Sequence, residues 1–299
     1  MTLTLSETDV AKVLTYEQLI PAMEKALSEF SAGRVIQPLR NLFAVEEGKR
    51  FFGIMPAVSE DAMGAKLVCF YPKNAGTDVP THLALIMLFE PKTGQPLAFM
   101  DGRLITEMRT AAVSAAVTKY LASESSHVLA LLGSGVQAAA HLEALRHVRH
   151  FDEVRVWSRT PQHAERFATL HGARAMALEA AVRDADVIVT ATSASTPFLQ
   201  GAWLKPGTHV NAVGSARPIW RELDDQAMNN TLIVDSREAA LKEAGDVIMS
   251  RATIFAEAGE LFAGLKVPPR SETTVFKSVG IAVEDMAAAR LVYDAVMAA

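Results

Sequence analysis

The residues with the most legible chemistry are Gly133-Ser134-Gly135-Val136-Gln137-Ala138. They make a G-x-G-x-x-A element that follows an apolar run at 128–132 and opens a helical pattern. Gly133 permits a tight turn, Gly135 lets backbone approach a pyrophosphate, and Ala138 still allows close helix packing. A helix starting there turns free N–H groups and the positive end of its dipole toward phosphates. The spacing alone also fits a glycine turn without a ligand. Its place between a strand and a helix, inside a βαβ series, points to a dinucleotide. The second strand ends Val156-Trp157-Ser158-Arg159-Thr160. An acid there would accept hydrogen bonds from the 2′-hydroxyl of NAD(H). Arg159 instead suits a 2′-phosphate, which a carboxylate would repel. NADP(H) is the expected coenzyme, with NAD(H) a weaker substitute. A solvated loop arginine is the plainer alternative for Arg159.

Other reactive side chains are few. Lys66 stands in the apolar run Lys66-Leu67-Val68-Cys69-Phe70-Tyr71. A lysine there either snorkels at an edge or faces a cleft. Arg109 falls in the first turn of a helix over 107–122 if Thr106 caps it, a place that favours an anion; a structural salt bridge is the alternative. His147 and His150, with His141 further back, could share a helix face, but no acid or thiolate cluster completes a metal site. They read as a solvated face, and no metal is expected. No G-x-S-x-G element supports acyl transfer. Cys69, the single cysteine, reads as a core residue in a reducing compartment.

These residues need two kinds of scaffold. Residues 7–32 carry two short helical patterns. Strand-like runs follow at 35–45, 51–55, 64–71, 82–89 and 96–100, separated by turn signals such as Glu46-Glu47-Gly48. Strands without long helices between them imply a mainly antiparallel sheet with open edges and an apolar face, for which a homodimer joining two sheets is a natural cover. From 128 onward strands (128–132, 153–157, 186–190, 209–213, 232–235) alternate with helices (137–149, 161–171), the signature of a doubly wound parallel sheet. The fold class is α/β: a Rossmann domain at 116–280 beside a discontinuous α+β substrate and dimerisation domain at 1–115, completed by a helix within 281–299.

With 299 residues and a net charge of -5, the chain is not expected to bind nucleic acid or anionic membrane, both of which need a basic face. It has no apolar run near the roughly 20 residues of a membrane span. No signal peptide is read at the N-terminus, and a cytoplasmic location is expected.

The chain resembles the ornithine cyclodeaminase/mu-crystallin family, most of all its mu-crystallin (ketimine reductase) branch. Val35-Ile36-Gln37-Pro38-Leu39-Arg40, Lys66-Leu67-Val68, Arg109-Thr110-Ala111-Ala112, the glycine element, Ser158-Arg159-Thr160, Asn211-Ala212-Val213-Gly214 and Thr274-Val275-Phe276-Lys277-Ser278 carry the resemblance. It implies a small imino- or amino-acid substrate whose carboxylate is held by Arg40, Lys66 and Arg109, with Ser215 beside it and Lys66 as the catalytic group. It also implies a coenzyme set of Thr110, Gly133, Gly135, Val136, Gln137, Ser158, Arg159, Thr160, Thr192, Val213, Lys277 and Ser278. Ornithine cyclodeaminases carry an aspartate where this chain has Ala216. Alanine exchanges no proton, whereas a preformed imine needs chiefly position, orientation and exclusion of water. The reaction implied is NADPH-dependent reduction of Δ1-pyrroline-2-carboxylate or Δ1-piperideine-2-carboxylate to L-proline or L-pipecolate. The alternatives are an amino-acid dehydrogenase or ornithine cyclodeaminase, and a non-catalytic crystallin-like protein that binds NADPH or another ligand.

Overall fold

Between residues 41 and 101 the apolar runs are joined by turns alone, so each strand pairs with the one before it. The computed structural model describes residues 2–47, 49–269 and 271–298. It shows a sheet of β1 (Leu3–Leu5), β2 (Asn41–Glu46), β3 (Arg50–Val58), β4 (Met63–Phe70), β5 (His82–Phe89) and β6 (Pro96–Asp101), in the order β1-β6-β5-β4-β3-β2. Neighbours are antiparallel except β1, which runs parallel to β6. The sheet belongs to a unit made of residues 1–109 and 281–299.

Alternation along the strands gives this sheet two unlike faces. Met55, Lys66, Ile86 and Met100 stand in one cross-strand row and are buried. Helix α1 (Glu7–Val13) and the terminal helix (Ala282–Ala298) pack on the sheet, and α2 (Tyr16–Ser31) packs on the terminal helix. The opposite face carries the rows Phe43-Phe52-Cys69-Leu83 and Ile54-Leu67-Leu85. Phe43 is 53% exposed and Leu85 41%, so this face leaves apolar surface in solvent. Cys69 therefore corrects the core reading: it stands half-buried on that face.

Two further expectations change. The run 35–45 is not one strand, because Pro38 has no N–H to give a ladder; Ile36 makes a lone bridge to Val58 before β2 begins at Asn41. Gly48, expected in the first turn, lies outside the described residues. The helix expected at 107 begins four residues earlier, as α3 (Arg103–Leu121). The Asp101 carboxylate accepts the Arg103 amide at 2.8 Å, and Thr106 donates its hydroxyl back to the Gly102 carbonyl. Thr106 is thus interior rather than a cap, and Arg109 lies beyond the first turn.

The second unit spans residues 110–280, the division falling inside α3. Its eight strands are all parallel: β7 (Val128–Leu132), β8 (Glu153–Trp157), β9 (Arg174–Ala175), β10 (Val187–Thr190), β11 (His209–Ala212), β12 (Thr231–Val234), β13 (Ile254–Glu257) and β14 (Thr274–Lys277). Their order is β13-β12-β14-β11-β10-β7-β8-β9. From β7 the order runs to β8 and β9 on one side and to β10 and β11 on the other, with β14 returning between β11 and β12, so the switch point lies between β7 and β10, where an open α/β sheet binds its ligand. Helix α4 (Val136–Arg146) follows β7 and α5 (Pro161–His171) follows β8. Helix α4 stops short of the expected 149. The Arg149 guanidinium instead donates to the carbonyls of Lys119, Ala122 and Ser123 at the end of α3, a cationic cap on its free carbonyls.

Candidate active site

The carboxyl ends of β7, β8 and β10 border a cavity of 730 Å³ within the second unit. Gly133 opens it with φ of 128°, a conformation that favours glycine, and a Cβ there would lie 2.5 Å from the Ala191 carbonyl oxygen. Gly135 precedes α4 with φ of -90°, and an added Cβ would meet nothing within 4 Å. The first glycine is required by the turn, while the second leaves clear space over the helix N-terminus. Of the expected coenzyme residues, Gly133, Gly135, Val136, Ser158, Arg159, Thr160 and Thr192 line the cavity; Gln137, Thr110, Val213, Lys277 and Ser278 do not. His163, Arg166 and His171 of α5 also line it, and none of the lining residues is acidic. The residues fit a nicotinamide dinucleotide: backbone room and helix N–H groups for a pyrophosphate, and a cationic rim for further negative charge.

The turn after β11 is braced from below. Gly214 has no room for a side chain, since a Cβ would stand 2.3 Å from the Thr192 carbonyl oxygen. The buried Glu222 carboxylate accepts the Gly214 amide, the Thr192 amide and the hydroxyls of Thr190 and Thr192. Lys277 is fully buried; its ammonium donates to the Gly214 carbonyl and lies 2.9 Å from Asp246 Oδ2. Ser278 donates its hydroxyl to Asp235, which also accepts the amides of Val279 and Gly280. Lys277 and Ser278 are thus engaged inside the sheet. Ser215 is buried with φ of 51°, its hydroxyl donating to the Ala194 carbonyl. Non-glycine residues held in that region of backbone space gather at functional sites.

The first unit gathers the expected substrate cations. Lys66, only 2% exposed although in a central strand, neither snorkels nor sits at an edge. Its Nζ lies 2.7 Å from Asp285 Oδ2 and 3.4 Å from Thr106 Oγ1. Arg109 donates Nε to Asp285 Oδ1 at 3.0 Å and Nη1 to Glu284. Burial pushes the Lys66 ammonium down to about 8; Asp285 opposes that shift, and Arg109 and Arg40 add to it. Asp285 is itself held below the usual carboxylate range: burial works to raise it, and Arg109 and Lys66 outweigh that. Both acids sit in the first turn of the terminal helix, where the dipole favours them. Lys66 and Arg109 are thus paired with Asp285 and Glu284, and Arg40 is near enough for its charge to act on Lys66.

Sequence reasoning passed over Glu284, Asp285, Glu222, Asp235 and Asp246. The signal was available: ionisable residues inside apolar segments are buried only when paired. The reading of a solvated histidine face is corrected at His141 alone. His141 is wholly buried, bonded to Ser114 and the Gln137 carbonyl, whereas His147 and His150 are exposed. No group of three metal-ligating side chains occurs among the described residues, and no described helix is long and apolar enough to cross a membrane.

A model of the ornithine cyclodeaminase/mu-crystallin family matches residues 1–299. The ketimine reductase mu-crystallin of Macropus fuliginosus is 52% identical over 286 residues, which is 92% of this chain and 91% of that protein. The structure of Thermococcus litoralis Δ1-pyrroline-2-carboxylate reductase in complex with NADH and L-proline matches with a TM-score of 0.93 at 36% identity, covering 99% of this chain and 98% of that one. An archaeal alanine dehydrogenase dimer with bound NAD matches with a TM-score of 0.93 at 32% identity, over 99% of this chain and 96% of that one.

Proposed function

We propose that this chain, which belongs to the ornithine cyclodeaminase/mu-crystallin family, reduces cyclic ketimine carboxylates with NADPH, converting Δ1-pyrroline-2-carboxylate and Δ1-piperideine-2-carboxylate into L-proline and L-pipecolate. The observation that carries the reading is the buried cluster of Lys66 and Arg109, with Arg40 close by. Its cationic side chains, the Arg109 guanidinium above all, suit a substrate carboxylate. Arg109 and Arg40 grip that group, and Lys66 stands by the imine nitrogen. A reduced nicotinamide supplies the hydride when bound. A ketimine is already at the oxidation level that needs only hydride and a proton, so orientation and dryness are the main demands on the protein.

NADPH is favoured over NADH by the acid-free rim that holds the guanidinium groups of Arg159 and Arg166. The Gly135 backbone and the start of α4 take the pyrophosphate, while Lys277 and Glu222 hold the Gly214 turn in shape. Ser215 beside the substrate and Thr110, Gln137 and Val213 near the coenzyme complete the proposed set, while Ser278 serves through its bond to Asp235. The uncovered sheet face with Phe43, Leu83 and Leu85 exposed supports a homodimer, as in the archaeal dehydrogenase. A half-exposed lone cysteine suits the reducing cytoplasm.

Alanine dehydrogenase activity is the rival that the archaeal relative raises. Ala216 in place of an acid speaks against deamination and ring closure, and the intact Lys66 and Arg109 cluster speaks against a purely crystallin-like role. NADPH consumption with the two cyclic imines, beside pyruvate plus ammonia and ornithine plus NAD⁺, tests all three. Turnover of the imines alone is expected; turnover of only the other pairs would overturn the reading.

A further inference from the structure

The acids of the terminal helix are not simply counter-charges. Asp285 lies between two cations, Oδ2 toward Lys66 at 2.7 Å and Oδ1 toward Arg109 Nε at 3.0 Å. Glu284, the neighbouring acid, meets Arg109. All four groups are buried. We propose that Asp285 is a positioning residue for proton delivery: its carboxylate keeps Lys66 charged and aimed as the proton donor to the imine nitrogen, while fixing the Arg109 fork for the substrate carboxylate. This rests on the ketimine reductase reading.

The groups facing Lys66 make the assignment specific. From α3 come Thr106 and Arg109, from the segment before β2 comes Arg40, and from the terminal helix comes Asp285. Two of these are cations that repel an ammonium, and the strand buries it. Asp285 is the one carboxylate among those partners. Without it, a lysine in this place would shed its proton well below its ordinary range. With it, the ammonium remains the predominant form at neutral pH yet is far more acidic than a solvated lysine, which suits a general acid. Asp285 is the wrong group to give the proton, because both flanking cations hold it ionised.

The step balances. Hydride from the reduced nicotinamide forms the new C–H bond at the imine carbon, and the C=N π pair moves to nitrogen. Nitrogen takes one proton from Lys66 Nζ, which is left as a neutral amine and regains a proton from solvent. The imine is reduced by two electrons and the nicotinamide oxidised by two.

The test is a pH titration of the Lys66 side chain by carbon-13 NMR in lysine-labelled protein, its signal assigned by Lys66→Arg, alongside kcat/KM against pH. In the native protein the midpoint should lie near 8 and kcat/KM should fall above it. Asp285→Asn should lower both the midpoint and that alkaline limb by about one pH unit or more, and Asp285→Glu should restore part of the shift. An unmoved midpoint in folded Asp285→Asn overturns the proposal. If that variant does not fold, the Asp285 carboxyl carbon of the native protein decides, since it must show an inflection at the Lys66 midpoint, and its absence overturns the pairing. A native protein inactive on imines but with the NMR shift intact would remove the reductase reading. An active one whose Asp285→Asn variant kept its alkaline limb would remove the role of Asp285 alone.

Discussion

Replacing Gly135 by alanine separates the coenzyme site from the stability of the fold. The residue adopts φ of -90° and ψ of -170°, an ordinary extended conformation for alanine. The new Cβ would touch nothing within 4 Å. Less unfolded-state freedom favours alanine by about 0.4–1 kcal/mol, and loss of a glycine at a helix N-cap costs a similar amount, so stability should stay within about 1 kcal/mol of native. The methyl group, however, projects into the cavity where a phosphate has to approach backbone N–H groups. Displacing it forfeits at least one charge-assisted hydrogen bond of about 1.5–3 kcal/mol. NADPH should therefore bind between about tenfold and about a hundredfold more weakly. Trp157 lines the cavity, so its fluorescence can report the titration while urea unfolding reports stability. Gly133→Ala is the contrast: its positive φ and the overlap with Ala191 should destabilise the fold itself by about 1–3 kcal/mol. Native NADPH affinity in Gly135→Ala would refute the placement of the pyrophosphate.

Arg159→Ala should weaken NADPH by about tenfold or more and leave NADH nearly unchanged, read as the ratio of their dissociation constants; equal losses would remove Arg159 from the 2′-phosphate. Arg109→Lys keeps the charge but loses the fork, so kcat/KM for the imine should drop about tenfold with coenzyme affinity intact. A charge on the uncovered face, Leu85→Glu, should yield monomers by light scattering if that face joins two copies. His141 and His209 are buried, and burial pushes each down to about 4 from 6.5. The unfolded chain then binds protons that the native one refuses between those values. Stability contributed by each, present above pH 6.5, is lost as pH falls toward 4, by about 3 kcal/mol per histidine. His209→Gln should flatten the fall in urea midpoint between pH 7 and 4.5; an unchanged slope would contradict this.

The glycine turn and the cavity it borders were legible because their requirements are local. Gly133 answers a turn, Gly135 leaves open space before α4, and Arg159 comes two residues after the end of β8, all within one βαβ unit. The start of α3 was misread because Asp101, placed by the end of β6, captures the Arg103 amide before Thr106 can act as a cap. The strands β9, β13 and β14 were not read from the sequence; β14 enters between β11 and β12, a place decided by packing rather than by chain order. Lys66 was recognised as out of place in an apolar strand, but its partner lies far along the chain, at Asp285. Pairing across that separation is decided by packing of the terminal helix on the sheet, which no local pattern reveals. His141 shows the converse, a polar residue that looks like surface until its neighbours, Ser114 and the Gln137 carbonyl, are seen to satisfy it.

The most direct measurement follows the hydride itself. Turnover of Δ1-pyrroline-2-carboxylate with NADPH deuterated at C4 of the nicotinamide, on the transferred face, should give L-proline carrying deuterium at its α-carbon, one label per coenzyme oxidised. Oxidation without label at that carbon, or no turnover of the imine at all, would contradict the account.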